Sequence, residues 1–428
     1  MVRFVILYTS IGLLQSFGPD IGGRSLMRVS VYLLGLLMLL YKPGRGQSSF
    51  LSRGAAYIVL CLSFEFLHPD RGSYAAAAAQ VLLNVAILSP CFWVSRLNLN
   101  IKTLRTLITI FWLLNASAAS LGILQATYPG RFQPKLSTLI QNDTAVLRYS
   151  ITLNNGEQTL RPFGFSDMPG GAAVSSSLAI IFSFPILLSS NARWIIKILA
   201  ILAIGNSVNC ILLTNIRTAL VISVVAALSI ISLYGRRGKW KQSIFLSIIL
   251  SLAGVAGFFG ATSLASDQVT QRFSSLVEDR DVFYKARGYF VMNAISSIAD
   301  FPLGAGLGRY GMMKIYFGDQ YSVTGSDLWA EIQWESWIYD GGLILTLLYS
   351  SLLIKSIMFC YNVARNSYSE ELSAYASLMF AWSIAIFANT FTYCIFLSQI
   401  GFDYWLMMSC FVATVQNFEE IDSSDVES

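Results

Sequence analysis

Apolar runs about as long as a bilayer is thick recur along this chain, and no other feature constrains its fold so strongly. A helix crossing the ~30 Å hydrocarbon core needs about 20 apolar residues, with ~17 sufficient. Runs of that order lie near residues 2–18, 26–41, 54–68, 74–95, 103–127, 169–190, 194–214, 217–234, 242–263, 336–358, 372–396 and 398–415. Charged residues make up only 12% of the 428, too few to cover a soluble protein of this size. The sequence predicts an all-α, polytopic membrane helix bundle of about 12 transmembrane helices, packed as a single bundle over 1–415. Arg3 and the apolar stretch to Leu14 have the outline of a signal peptide. No small-residue cleavage site follows and further spans do, so the segment reads as the first span.

Basic residues in short loops set the orientation, because they stay on the cytoplasmic side. One alternating set of connections carries Lys42, Arg45 and Arg53; Arg96, Lys102 and Arg105; Arg193 and Lys197; Arg236, Arg237, Lys239 and Lys241; and Lys355 and Arg365. With Arg3 these are fifteen, against Arg24, Arg28, Arg71 and Arg217 in the short connections of the other set. Both termini are therefore predicted to be cytoplasmic. The longer segments 128–168 and 264–335 then face outward, the second as one large helical extracytoplasmic loop. A loop of that length usually has a role, so function is expected there, against the outer helix ends. The tail 416–428 holds five acidic residues and no basic one, and reads as a solvated, disordered cytoplasmic end.

Six cysteines (Cys61, Cys91, Cys210, Cys360, Cys394, Cys410) sit in or beside apolar runs, without paired spacing or accompanying histidine. They predict buried small hydrophobes, not disulfides or a metal site. The sole histidine, His68 in FEFLHPD, reads as a capped residue at the membrane interface.

Several residues carry a chemical reading beside a plainer one. Arg217, in TNIRTALV at the outer end of a span, is either an interface anchor or a phosphate clamp. Its guanidinium binds phosphate in bidentate fashion and keeps its proton. Arg161 and Asp167 lie in LRPFGFSDMPGG, a Pro/Gly turn or a second anion contact. From Val282 to Ile298 the pattern is an amphipathic helix with Phe283, Phe290, Ala294 and Ile298 on one side. Lys285 and Arg287 lie on it, following Glu278, Asp279 and Asp281. The Asp279-x-Asp281 spacing matches a metal-binding motif of nucleotide-sugar enzymes, but acidic residues at a helix start explain it more simply. Gly306-x-Gly308-x-x-Gly311 has the spacing of a dinucleotide fingerprint without its preceding strand. Gly304, Gly306, Gly308 and Gly311 read instead as a tight turn that lets backbone approach a ligand or the membrane surface. In GSDLWAEIQWESWIYDGG, Trp329, Trp334 and Trp337 suit an interface belt or a stack on sugar rings. Glu331 and Glu335, four apart, would share a helix face, and a carboxylate held in a partly dry pocket suits general-base work.

Taken in order, RPFGFSDMPGG, TNIRTAL, ARGYFVMNAISSIADFPLGAGLGRYG and AEIQWESWIYDGGLI resemble the O-antigen ligase and O-antigen (Wzy-type) polymerase superfamily of membrane glycosyltransferases. The resemblance covers about 160–345 and extends to the topology. It implies a metal-independent glycosyltransferase, without cofactor, in the plasma (inner) membrane of a bacterium. Such an enzyme moves a glycan from an undecaprenyl diphosphate carrier to an acceptor hydroxyl at the outer membrane face. By position, Arg217 and Arg287 match the two arginines that hold the carrier diphosphate. Read on their own residue types, Arg161, Lys285, Gly306, Gly308 and Trp334 are candidate substrate contacts as well. Family ligases use a histidine in the large loop, where this chain has none. Glu331 stands in a similar place as the candidate base, which favours polymerase over ligase. The implied partners are the lipid-linked oligosaccharide, an acceptor glycan, the bilayer, and a chain-length regulator or export protein; no nucleic acid is expected. Two other classes remain: a transporter or flippase of lipid-linked glycans, which would show internal repeats or broken helices, and a structural membrane protein without chemistry.

Overall fold

The computed structural model describes residues 1–17, 21–40, 48–134, 149–153, 156, 158–166, 168–189, 192–278, 288–318 and 328–426. In chain order its helices are α1 (Val2–Phe17), α2 (Ile21–Leu40), α3 (Phe50–Glu65), α4 (Tyr74–Leu88), α5 (Pro90–Trp93), α6 (Ile101–Thr127) and α7 (Pro129–Phe132). After strands β1 (Ser150–Thr152) and β2 (Gln158–Leu160) come α8 (Ala172–Leu188), α9 (Trp194–Thr214), α10 (Arg217–Arg236), α11 (Trp240–Glu278), α12 (Tyr289–Asp300), α13 (Gly311–Phe317), α14 (Gln333–Asn366), α15 (Glu370–Asn389) and α16 (Gln399–Val426). The strands pair antiparallel, Ile151 opposite Thr159, as the one sheet among the described residues.

A helix lies on each of the twelve apolar runs, but full-length spans are fewer. Among the described residues, six helices are long and apolar enough to cross a membrane: α6, α9, α10, Trp240–Ala265 of α11, α14 and α15. Tyr74–Leu88 with Pro90–Arg96, bent by 43°, adds a seventh if the pair counts as one. Val2–Leu13, Val29–Leu40 and Ala172–Leu188 are apolar but shorter. Within the 74–95 run the bend has a local cause. Hydropathy registers apolar content, whereas Pro90 starts a new helix because its ring clashes with a preceding helical turn and lacks an N–H. The acidic tail also departs from the disordered end expected, since α16 runs on to Val426. All six cysteines are free thiols.

The helices group into two compact units, each discontinuous in sequence. The first comprises Met1–Val31, Ile101–Arg280 and Cys360–Ala385. Its helices approach closely through small residues, as membrane helices do where no hydrophobic drive separates protein from lipid. A Cβ on Gly122 of α6 would stand 2.6 Å from Cys210 Sγ of α9, and one on Gly257 of α11 would stand 2.7 Å from Val208 of α9. Polar side chains on these helices are satisfied inside: the Trp112 indole donates to Ser183 Oγ at 2.9 Å. Large apolar side chains such as Leu202, Leu228, Leu252 and Phe259 point outward and stay exposed. That inversion of a soluble protein's pattern suits a lipid surround.

One end of this unit is a charged belt. Arg105 grips Glu371 through Nε (2.6 Å) and Nη2 (2.5 Å), and Lys239 Nζ meets Glu370 at 2.5 Å. Arg237 donates to the Ser367 carbonyl at 3.1 Å. Three connections assigned by charge to one side of the membrane thus meet at one end. Since α10 has 20 residues, Arg217 lies about 30 Å from this belt at 1.5 Å per residue, one hydrocarbon core away.

The second unit comprises Tyr32–Asn100, Asp281–Phe359 and Ile386–Ser428. Aromatic stacking fills its centre: Trp337 lies on Tyr349 with ring centroids 4.9 Å apart, and Phe396 on Trp405 at 5.6 Å. As the periodicity predicts, α12 turns Ala294, with Phe290 and Ile298, onto Ile332 and Ile338. Helix α14 is broken at Gly341 and Gly342, the latter with φ 59° and ψ −151°. A side chain at Gly342 would collide with the Pro302 carbonyl. Groups freed at the break find partners in the 302–305 loop, where Leu343 N donates to Pro302 O (3.0 Å) and Ala305 N to Tyr339 O (2.8 Å).

Candidate functional site

At the far end of the first unit, Gln125 organises the turn that carries Arg161. Buried near the end of α6, it accepts from Phe163 N and Gly164 N, both at 2.8 Å, and donates to Gly164 O at 3.1 Å. Gln133 ties the same region to the hairpin through Thr159 Oγ1 (2.8 Å) and Leu160 O (2.9 Å). Arg161 N extends the hairpin onto Tyr149 O at 2.8 Å, and Gly170 N closes the turn on Pro162 O at 3.0 Å. The Pro/Gly turn read from the sequence is therefore real, and it positions an arginine.

Gly170 is the contact point. It holds φ +86°, and a Cβ there would stand 2.8 Å from Ile216 Cδ1 and 3.9 Å from Arg161 Cδ. Gly170 thus lies next to both Arg161 and Ile216, the residue preceding Arg217. Asn215 ends α9 in the left-handed region with φ 55°, and Ile216 starts α10 without a side-chain cap, so Arg217 is the first helical residue. Both arginines bury their Nε atoms. Guanidinium groups beside an uncapped helix start make a setting for an anion, because backbone N–H groups and the helix dipole add to their charge.

Arg287, Lys285, Asp279, Asp281, Asp167 and Asp327 lie outside the described residues. The structure therefore places Arg161 with the start of α10, and leaves the Arg217–Arg287 pairing as an expectation.

In the second unit the two glutamates of AEIQWE part company. Glu335, 1% exposed, folds back over the start of α14. Its Oε2 accepts from Glu331 N (2.8 Å) and Ile332 N (3.3 Å), and its Oε1 from Asn293 Nδ2 (2.9 Å). It caps the helix, as a carboxylate at a helix start does. Glu331 lies half-buried just outside the helix, with the Trp329 indole donating to Oε1 at 2.9 Å. Trp334 donates to Thr390 Oγ1 at 3.0 Å and stacks on Phe391 at 5.2 Å between centroids, so its ring serves packing. Trp337 is buried, whereas Trp329 is 65% exposed.

The glycines of FPLGAGLGRYG approach backbone within the same unit. Gly304, Gly306, Gly308 and Gly311 all have positive φ. A Cβ on Gly306 would stand 2.6 Å from Arg71 N, and one on Gly308 2.7 Å from Ala76 C and Ala77 N. The loop also accepts Gly72 N at Leu307 O, 2.8 Å away. The glycines fit the loop against the His68–Ala77 segment. There His68 Nδ1 accepts from Asp70 N, and the Arg71 guanidinium lies 3.8 Å over Tyr74.

Sequence reasoning passed over one group, a buried polar knot beside the break in α14. Asp340 Oδ2 accepts from Gln80 Nε2 at 3.0 Å and Tyr310 OH at 2.8 Å, and Tyr310 also meets Ser336 Oγ at 2.7 Å. Burial, then the nearby Asp340 charge, pushes the Tyr310 hydroxyl well above its ordinary range, so it remains a donor. The available signals were Gln80 in an alanine-rich helix and Asp-Gly-Gly at the start of a span.

Among the described residues, no group of three or more His, Cys, Asp or Glu side chains is placed to hold a metal ion. No protein-family model matches the chain, and no curated protein matches it either. What stands is an all-α protein with helices of membrane-spanning length and apolar character, in which the turn bearing Arg161 lies by the start of α10, about 30 Å from a charged belt.

Proposed function

We propose that this protein is a membrane glycosyltransferase of the polymerase type. It would take a glycan from an undecaprenyl diphosphate carrier and pass it to an acceptor hydroxyl at the outer face of a bacterial plasma membrane. The observation that carries the reading is that Gly170 lies against both Arg161 and the residue before Arg217, at an uncapped helix start. In the reaction the acceptor oxygen bonds to the anomeric carbon, the bond from that carbon to the phosphate oxygen breaks, and the diphosphate leaves with the electron pair. Fixed guanidinium groups stabilise that growing charge. A well-placed donor of this kind is worth ~3 kcal/mol, or ~10²–10³ in rate. The acceptor proton needs a base, and Glu331, half-buried outside its helix, is the candidate; ligase-like transfer to a lipid or protein acceptor is the variant within this class.

The orientation belongs to the same proposal. Fifteen basic residues in one set of connections, and the belt of Arg105, Arg237 and Lys239, support a cytoplasmic belt and cytoplasmic termini. The Arg217 end and the segments 128–168 and 264–335 would then face outward, within a bundle of about 12 membrane passes counting the shorter apolar helices. A chain-length regulator or export partner fits such an enzyme.

The test is reconstitution in vesicles with lipid-linked oligosaccharide and mass analysis of the products. Chain lengthening is expected. Arg217→Lys and Arg161→Lys keep the charge and lose the bidentate fork, so each should lower the rate ~10²-fold or more; full activity in both removes the clamp. A second reading, a flippase, is favoured by the break in α14 with Asp340 buried beside it. It predicts translocation without lengthening.

A further inference from the structure

We propose that Glu65 and Asp340, in the second unit, bind a hard, oxygen-seeking metal cation at the break in α14. Asp340 is 2% exposed. Its Oδ2 already has two donors, from Gln80 and Tyr310, whereas its Oδ1 is buried with no hydrogen-bond partner. Glu65 Oε2, at the end of α3, is in the same condition. Glu65 reaches the residue after Asp340. A Cβ on Gly304 would stand 3.1 Å from Glu65 Oε2 and 3.1 Å from the Cα of Gly341, the residue after Asp340. They also lie close enough for the Glu65 charge to act on Asp340.

Two buried carboxylate oxygens without donors, facing like charge, need a positive partner, because an uncompensated buried charge is costly. No side chain supplies it among the described residues. Among the described residues neither carboxylate takes part in an ion pair such as Arg105–Glu371 or Lys239–Glu370 of the other unit. The nearby Arg71 gives Nη1 to the His68 carbonyl and lies over the Tyr74 ring, with its buried Nε making no hydrogen bond. The break adds negative potential, since the segment Gln333–Asp340 ends there and directs the carbonyl end of its dipole at the same place. Carboxylate oxygens with carbonyls from a broken helix are the donor set that calcium, magnesium and sodium take. A cation there would hold α3, the 301–310 loop and both halves of α14 together. The proposal uses no residue of the transfer reaction.

The experiment measures thermal unfolding of the purified full chain in detergent after chelation. Calcium, magnesium or sodium chloride is titrated in against N-methylglucamine chloride at constant ionic strength. A saturable rise in melting temperature with at least one of the three is expected, lost in both Glu65→Gln and Asp340→Asn. Binding of radioactive calcium or sodium to the wild-type chain decides the matter should either variant fail to fold. A melting temperature indifferent to all three ions but raised by acidification would overturn the proposal in favour of a proton shared by the two carboxylates. An equal rise in wild type and variants would overturn it too, because the ion would then act elsewhere.

Discussion

Replacing Gly170 by alanine asks whether the arginine turn and the start of α10 work as one part. Gly170 holds φ +86°, where a residue bearing a Cβ pays about 1–2 kcal/mol. The new methyl would stand 2.8 Å from Ile216 Cδ1, tighter than packed carbons tolerate. Relieving that contact by displacing Ile216 or the turn adds about 1–3 kcal/mol, the usual cost of overpacking. Gly238 supplies the control: its φ is +73°, and a Cβ there meets nothing within 4 Å. Gly238→Ala should carry the backbone cost alone, so the difference between the two variants, about 1–3 kcal/mol, isolates the contact with Ile216. The assay is thermal melting in detergent, with and without pyrophosphate as a stand-in for the carrier's diphosphate. Gly170→Ala should melt below Gly238→Ala and lose most of the pyrophosphate-dependent rise, which Gly238→Ala should keep. Equal melting of the two, or a full pyrophosphate response in Gly170→Ala, would refute the coupling of turn to helix start.

The glutamates of AEIQWE should separate stability from chemistry. Glu335→Ala strips acceptors from Glu331 N, Ile332 N and Asn293 Nδ2 and should cost about 1–3 kcal/mol for each donor left buried without a partner, read as a lower melting temperature. Glu331→Gln should leave melting unchanged and abolish chain lengthening; normal lengthening would remove Glu331 as the base. Orientation is tested by Gly156→Cys and Gly238→Cys, at two glycines with open space around them. A membrane-impermeant maleimide added to intact cells should label the first only, and the reverse pattern would invert the assigned topology.

The helices were legible wherever apolar content alone decides. For α6, α9 and α10 the observed bounds fall within a few residues of the runs, because nothing inside those segments competes with the helix. Legibility failed where backbone conformation decides. The run near 336–358 gave no sign that α14 begins at Gln333, because the carboxylate of Glu335 satisfies the first free amides only once the chain has folded back. Nor did it mark the break, which depends on Pro302 and Ala305 reaching Gly341 and Gly342 from some forty residues away (about 130–140 Å of extended chain). The arginine site was half legible: the residue types at Arg161 and Arg217 stood out. Their approach rests on Gln125 and on the conformation of Gly170, and neither has a periodic signature.

The position of the break in α14 bears on the choice between enzyme and flippase. Flippases and transporters place unwound helix and buried charge near the bilayer midplane, where alternating access needs them. Lys355, which the charge rule places on the cytoplasmic side, lies fourteen residues from Gly341, about 21 Å at 1.5 Å per residue and so more than half of a ~30 Å core. On the proposed orientation the break, Asp340 and the knot around it therefore fall past the midplane, toward the outer end of this span. Backbone there can leave the helix because the 302–305 loop supplies the missing partners, as irregular backbone near a membrane requires. A polar knot displaced from the midplane suits a fixed brace better than a moving midplane gate. That argument fails if depth-dependent quenching of a probe at position 340 places it near the bilayer centre.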